Sequence, residues 1–306
     1  MIYCVVTCGD RIKLGACYIM ANYQIITDSG CDLPQSLLDT LDVKAVPLYV
    51  NFRGAEQPDS VDEGIKELYA GLRGGEAATT SAVNPDRWAA MIEPSLAEGK
   101  DAVVIAFSSG LSTTYQSAVI AGRELMEKHP DRKVHVVDSL CASLGQGLLV
   151  WYACKKRDEG LSAPELAQWL EEHKLNLCHW FTVDDLMYLK RGGRISAATA
   201  VLGTMLSIKP VLHMDDEGHL INVSKARGRK ASIDALAKKL SELDGGFDNS
   251  TVFISHGDCE EEAKYLAEKV KAEYGVKEVV IGYVGAVIGS HSGPGTMALF
   301  FLGDHR

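Results

Sequence analysis

Short apolar runs ending in hydroxyl and carboxylate side chains punctuate the first half of the chain. Gln24-Ile25-Ile26-Thr27 leads into Asp28-Ser29, residues 102–107 lead into Ser108-Ser109, and Val134-His135-Val136-Val137 leads into Asp138-Ser139. Runs this short and rich in β-branched residues read as buried parallel strands. A helix-like segment follows each, and strand–helix alternation predicts a parallel sheet with right-handed crossovers. In such sheets the ligand crevice lies beyond the carboxyl ends of the strands. The pattern therefore gathers hydroxyls and carboxylates around one crevice.

Residues 43–50 read as a second strand with Pro47 at its edge or end, and residues 65–72 as a helix broken by Gly74-Gly75. Thr79-Thr80-Ser81 reads as a polar loop, and Asn84-Pro85 opens the next helix. The charged stretch 155–160 ends a helix with glycine, and Ser162-Ala163-Pro164-Glu165 has the form of a capping box. This predicts two domains, 22–158 and 159–306, with residues 1–21 an extension of unknown role. In the second half, residues 213–220 predict a hairpin, residues 251–255 a strand, and residues 260–274 a helix that is acidic first and basic last.

Composition narrows the function classes. At 306 residues the chain has room for two cores, and its net charge of -10 argues against general nucleic-acid binding. No uncharged apolar run is long enough to span a bilayer, which predicts no stable membrane insertion. The eight cysteines form no CxxC pair or zinc spacing, so reduced thiols in a cytoplasmic protein, without metal or other cofactor, are expected.

Three groups of residues carry candidate chemistry. Residues 107–118 combine hydroxyls with a helix start, where Ser109 or Ser112 either caps the helix or faces an anion. Asp28 and Asp138 read as turn-capping carboxylates, and Gly145 and Gly147 as positions where a helix comes close to its neighbours. His291, between Ser290 and Ser292 in the run 289–295 with Gly289, Gly293 and Gly295, reads as a loop histidine able to meet a carboxylate or move a proton. Basic clusters at 190–194 and 225–230 suit phosphate or an acidic partner surface, or are solvated faces.

Taken together, Ile26-Thr27-Asp28-Ser29 through Asp32-Leu33-Pro34, Thr79-Thr80-Ser81, Ser108-Ser109-Gly110-Leu111-Ser112, Val137-Asp138-Ser139 with Gly145 and Gly147, residues 189–196 and residues 291–295 resemble the DegV family of bacterial fatty-acid-binding proteins. The resemblance runs in order from about residue 22 to the end. It implies an α/β fold of two domains, a parallel-sheet N-terminal domain and an α/β C-terminal domain, with the ligand in the cleft between them. It also implies a long-chain fatty acid in an internal tunnel, its carboxylate presented to a separate fatty acid kinase ATP-binding subunit for acyl-phosphate formation, and no catalytic residue in this chain. Carried over, Thr80, Ser81, Ser108, Ser109, His291 and Ser292 would hold the ligand, while Arg194 and Arg227 would face the partner or the phosphate. The sequence departs from the family pattern at Thr113, where glycine is usual, and at Gly228, where threonine is usual. Two alternatives remain: a hydrolase or phosphotransferase using Asp28, Ser109 or His291, and a lipid sensor without a kinase.

Overall fold

The computed structural model describes residues 22–196 and 207–306. The extension 1–21, with Cys4, Cys8 and Cys17, lies outside the described residues. Strands β1 (Tyr23–Asp28), β2 (Val43–Val46), β6 (Asp101–Ala106) and β7 (Val134–Asp138) form a parallel sheet in the order β2-β1-β6-β7. The apolar runs at 24–27, 102–107 and 134–137 form three of these strands. Alternation along them feeds two cores. Ile25, Val103 and Ile105 pack toward helices α5 (Leu144–Asp158) and α6 (Ala163–His173), whereas Ile26, Ala102 and Val104 pack toward α3 (Pro85–Ala97) and α4 (Thr114–Lys128).

The stretch expected as one strand over 43–50 is divided. β2 ends at Val46, and after Pro47 the chain turns into β3 (Tyr49–Phe52), part of a separate small sheet. The polar loop expected at residues 79–81 is likewise a strand. β5 (Ala78–Ser81) pairs antiparallel with β3, which also pairs with β4 (Ala55–Pro58). Register sets Thr80 opposite Val50, so tertiary pairing overrides weak local propensity.

The second half forms a mixed six-stranded sheet in the order β10-β9-β8-β13-β11-β12. Its strands are β8 (Leu177–Thr182), β9 (Ile208–Met214), β10 (Leu220–Arg227), β11 (Thr251–His256), β12 (Glu278–Tyr283) and β13 (Met297–Leu302). Helices α8 (Arg229–Leu243) and α9 (Glu260–Tyr274) cover one face. α5 covers the other while also touching β1, so a single apolar core joins the two sheets. Gly145 and Gly147 make this possible. A Cβ on Gly145 would strike His179 and Phe300, and one on Gly147 would strike the Cys31 carbonyl and Leu33. The capping box at Ser162 is present and the β9–β10 hairpin forms as expected, with Gly218 at φ 78°. α6 packs on β6 and β7 although it follows the charged stretch 155–160. Among the described residues no helix is long and apolar enough to cross a membrane.

Candidate ligand site

A cavity of about 520 Å3 lies between the two sheets. Leu48, Phe107, Phe181, Met214, Val287 and Phe300 are among the residues of its apolar wall. Polar residues share the wall with them. Thr80, Ser81, Ser109, Arg194, His291 and Ser292 all line the cavity.

His291 is not in a loop. It lies in the last turn of α10 (Ala286–Ser292), and Gly293 at φ 80° follows as the cap. The glycines serve packing, because a Cβ at Gly289 would meet the Tyr69 hydroxyl and one at Gly192 would meet His291 Nδ1. The Gly192 turn follows helix α7 (Leu186–Arg191). Its missing side chain lets the imidazole lie against the backbone. His291 Nε2 hydrogen-bonds Thr80 Oγ1 at 2.7 Å. This ties the small sheet to α10, residues far apart in the chain. Beside them the Ser292 hydroxyl is buried with no hydrogen-bond partner among the described residues. A buried hydroxyl left unpaired is costly, and a ligand acceptor at this point would satisfy it.

Burial first, and the Arg194 guanidinium second, push His291 down to about 4. It is therefore neutral near pH 7, able to donate one hydrogen bond and accept another. The sign of its linkage follows. An unfolded histidine takes its proton near pH 6.5. Stability from keeping His291 neutral is thus fully present above that pH and is lost as pH falls toward 4. The amount is up to roughly 3 kcal/mol. Asp28, raised to about 7 by burial, and Asp59, raised to about 6 by burial, act in the opposite direction. The lipid-free wild type should therefore lose stability relative to His291→Gln between about pH 7 and pH 4.5. Denaturant melts of both proteins across that range measure the difference, and a constant difference contradicts the assignment.

The remaining sequence candidates divide. Ser108 is a correction: it does not line the cavity. It is buried, with its hydroxyl donating to the Gly218 carbonyl at 2.9 Å and accepting from Gly110 N–H, and so fastens the hairpin to the N-terminal sheet. Ser109 does line it, held by its backbone N–H donating to Asp138 Oδ1 at 3.1 Å. Asp28 accepts from Gly30 N–H and Phe107 N–H, which places it as a turn cap away from the cavity wall. That geometry removes it as a nucleophile. Arg194 does not stand on an outer surface. It is half-buried on the cavity wall, donating to the Leu111 and Gly192 carbonyls, and burial lowers its pKa. Arg227 is exposed at the end of β10 and is not on that wall. Sequence reading missed Ser143, His179 and Ser255, which also line the cavity. Gly145 was the available signal for His179, since only a close neighbour requires a glycine there. Among the described residues no group of His, Cys, Asp and Glu is arranged to hold a metal ion.

Comparison with known proteins fits this geometry. A family model described as "Uncharacterised protein, DegV family" matches residues 22–304. A DegV domain-containing protein of Clostridium perfringens is 46% identical over 289 residues, spanning 94% of this chain and 99% of the relative. A solved DegV family protein from Thermus thermophilus, described as fatty acid binding, is 34% identical, with a TM-score of 0.82 over 92% of this chain and 99% of that one. The Fatty Acid Kinase B3 protein of Streptococcus pneumoniae, solved loaded with linoleic acid, shares the fold at a TM-score of 0.79 and 23% identity, over 92% of this chain and 99% of that one.

Proposed function

Because this chain belongs to the DegV family, we propose that it binds a long-chain fatty acid in the cavity between its sheets and presents the carboxylate to a partner kinase subunit for acyl-phosphate formation. The observation that carries the reading is Thr80 joined to neutral His291, with the unpaired Ser292 hydroxyl beside them, in a cavity also lined by Phe107, Phe181, Met214 and Phe300. An acyl tail gains roughly 0.8 kcal/mol for each methylene it buries. The head group needs only donors in place of lost water. Ser81, Ser109 and Ser292 offer such donors, and the Thr80 hydroxyl offers another when His291 Nε2–H donates to its Oγ1, so the head group is held without an ion pair and stays open to phosphorylation. Arg194, on the same wall, is the cation placed to meet the charge that grows as phosphate arrives. Arg227 is the exposed cation on the partner side. The chain itself performs no chemistry in this reading and needs no cofactor. A cytoplasmic setting suits the five described cysteines, all of them free thiols.

Thr80→Val with Ser109→Ala tests the head-group assignment. Each lost hydrogen bond to a charged group is worth about 1.5–3 kcal/mol. The double variant should bind fatty acid at least roughly tenfold more weakly while still melting cooperatively, at a temperature lowered by the lost Thr80–His291 bond. Affinity equal to wild type in a calorimetric titration would show that these hydroxyls serve only the fold.

A further inference from the structure

The inference concerns the substrate class of the same cavity and rests on its reading as an acyl-chain site. Cross-strand register puts Ser255, Ala298 and Phe181 in one row across β11, β13 and β8, with Phe253, Phe300 and His179 in the next. The head-group residues lie on other elements: β5, the turn after β6, α10 and the turn after α7. The row of Ser255 thus belongs to the wall that meets the tail, yet it carries a hydroxyl. A second hydroxyl faces it. Ser143, just before α5, lines the cavity and hydrogen-bonds Ser255 Oγ at 3.0 Å and Asp32 Oδ2. Its backbone sits at φ 55°, ψ -150°, ordinarily a glycine conformation, and strain of this kind collects at ligand sites. Serine stands there against the backbone's preference.

A saturated chain leaves this pair unused. A hydroxyl has one donor and two acceptor positions. With Asp32 ionised, Ser143 donates to it and Ser255 donates to Ser143, which leaves an acceptor position open. With Asp32 protonated, the carboxyl donates to Ser143 and Ser143 to Ser255, which leaves the Ser255 hydrogen free. Asp32 is buried against Asp59, and burial followed by that charge favours its protonated form. A ketone on the chain matches only the second arrangement, whereas a chain hydroxyl matches both. We propose that Ser143 and Ser255 form a polar recognition point for the tail, so that the cavity prefers a hydroxylated long-chain fatty acid to the saturated acid of the same length.

The test uses the full chain stripped of lipid. Stearic acid and a series of hydroxystearic acids, differing in hydroxyl position, compete with a fluorescent fatty acid. At least one isomer should bind about tenfold more tightly than stearic acid, the scale of one hydrogen bond to a buried partner. Ser143→Gly, a residue suited to that φ, and Ser255→Ala should each bring the ratio to about one. Thermal melts establish that both variants fold. Equal affinity of every isomer and stearic acid in the wild type would overturn the proposal, as would a preference that survives both substitutions. Failure of all these acids to bind would overturn the fatty-acid reading itself, which separates the two failures.

Discussion

Replacing Ala298 with phenylalanine is expected to cut affinity for a fatty acid of about eighteen carbons by roughly a hundredfold. Ala298 lies in β13 between β8 and β11, is 5% exposed, and points into the cavity face under α5. A larger side chain there cannot turn to solvent. The open space beside it is the cavity of about 520 Å3, so the ring should enter that space before it strains the core. Excluding about four methylenes, at roughly 0.8 kcal/mol each, removes about 3 kcal/mol of binding. An acid of about ten carbons has less tail to displace and should lose less. Titration of the two acids side by side, with melting curves for folding, measures this. Equal losses for both lengths, or no loss, would mean that the tail does not pass Ala298.

A second large effect is expected at His291, and in a different quantity. His291→Ala removes the neutral imidazole that holds the Thr80 hydroxyl in position, but little apolar wall. Tail binding should change by only a few-fold, because methylene burial carries most of the affinity. Acyl-phosphate formation with ATP and a fatty acid kinase ATP-binding subunit should fall by about a hundredfold, the scale of a reacting group held out of position. Arg194→Ala should leave binding nearer wild type and lower the rate in a salt-dependent way. A His291→Ala protein that phosphorylates normally would reduce the imidazole to a packing partner of Gly192 and Thr80.

Legibility in the sequence followed the range of the forces involved. β1 and β6 are recognisable because both their faces are buried, which demands continuous apolar runs, and the half-buried edge strand β7 keeps enough of that pattern to be read. The β9–β10 hairpin and the Ser162 cap are local, set by Asp215, Gly218 and Glu165 within a few residues. β5 was not legible, because Thr79-Thr80-Ser81 is a strand only through pairing with β3. The helical state of His291 was hidden by glycines that read as loop punctuation and in fact admit Tyr69 and His291 to close contact. For the site, motif order alone brought Thr80, Ser109, His291 and Ser292 into consideration. Their convergence, and the departure of Ser108, depend on contacts between residues more than a hundred positions apart. The place of Arg194 on the cavity wall was not legible either, because it depends on the Leu111 and Gly192 carbonyls that hold its guanidinium there.

The most direct measurement takes the full chain purified from a bacterial host, denatures it, and identifies released lipid by mass spectrometry. A long-chain fatty acid is expected at close to one molecule per chain, reduced by Ala298→Phe. Lipid-free preparations that also fail to bind added fatty acid would contradict it.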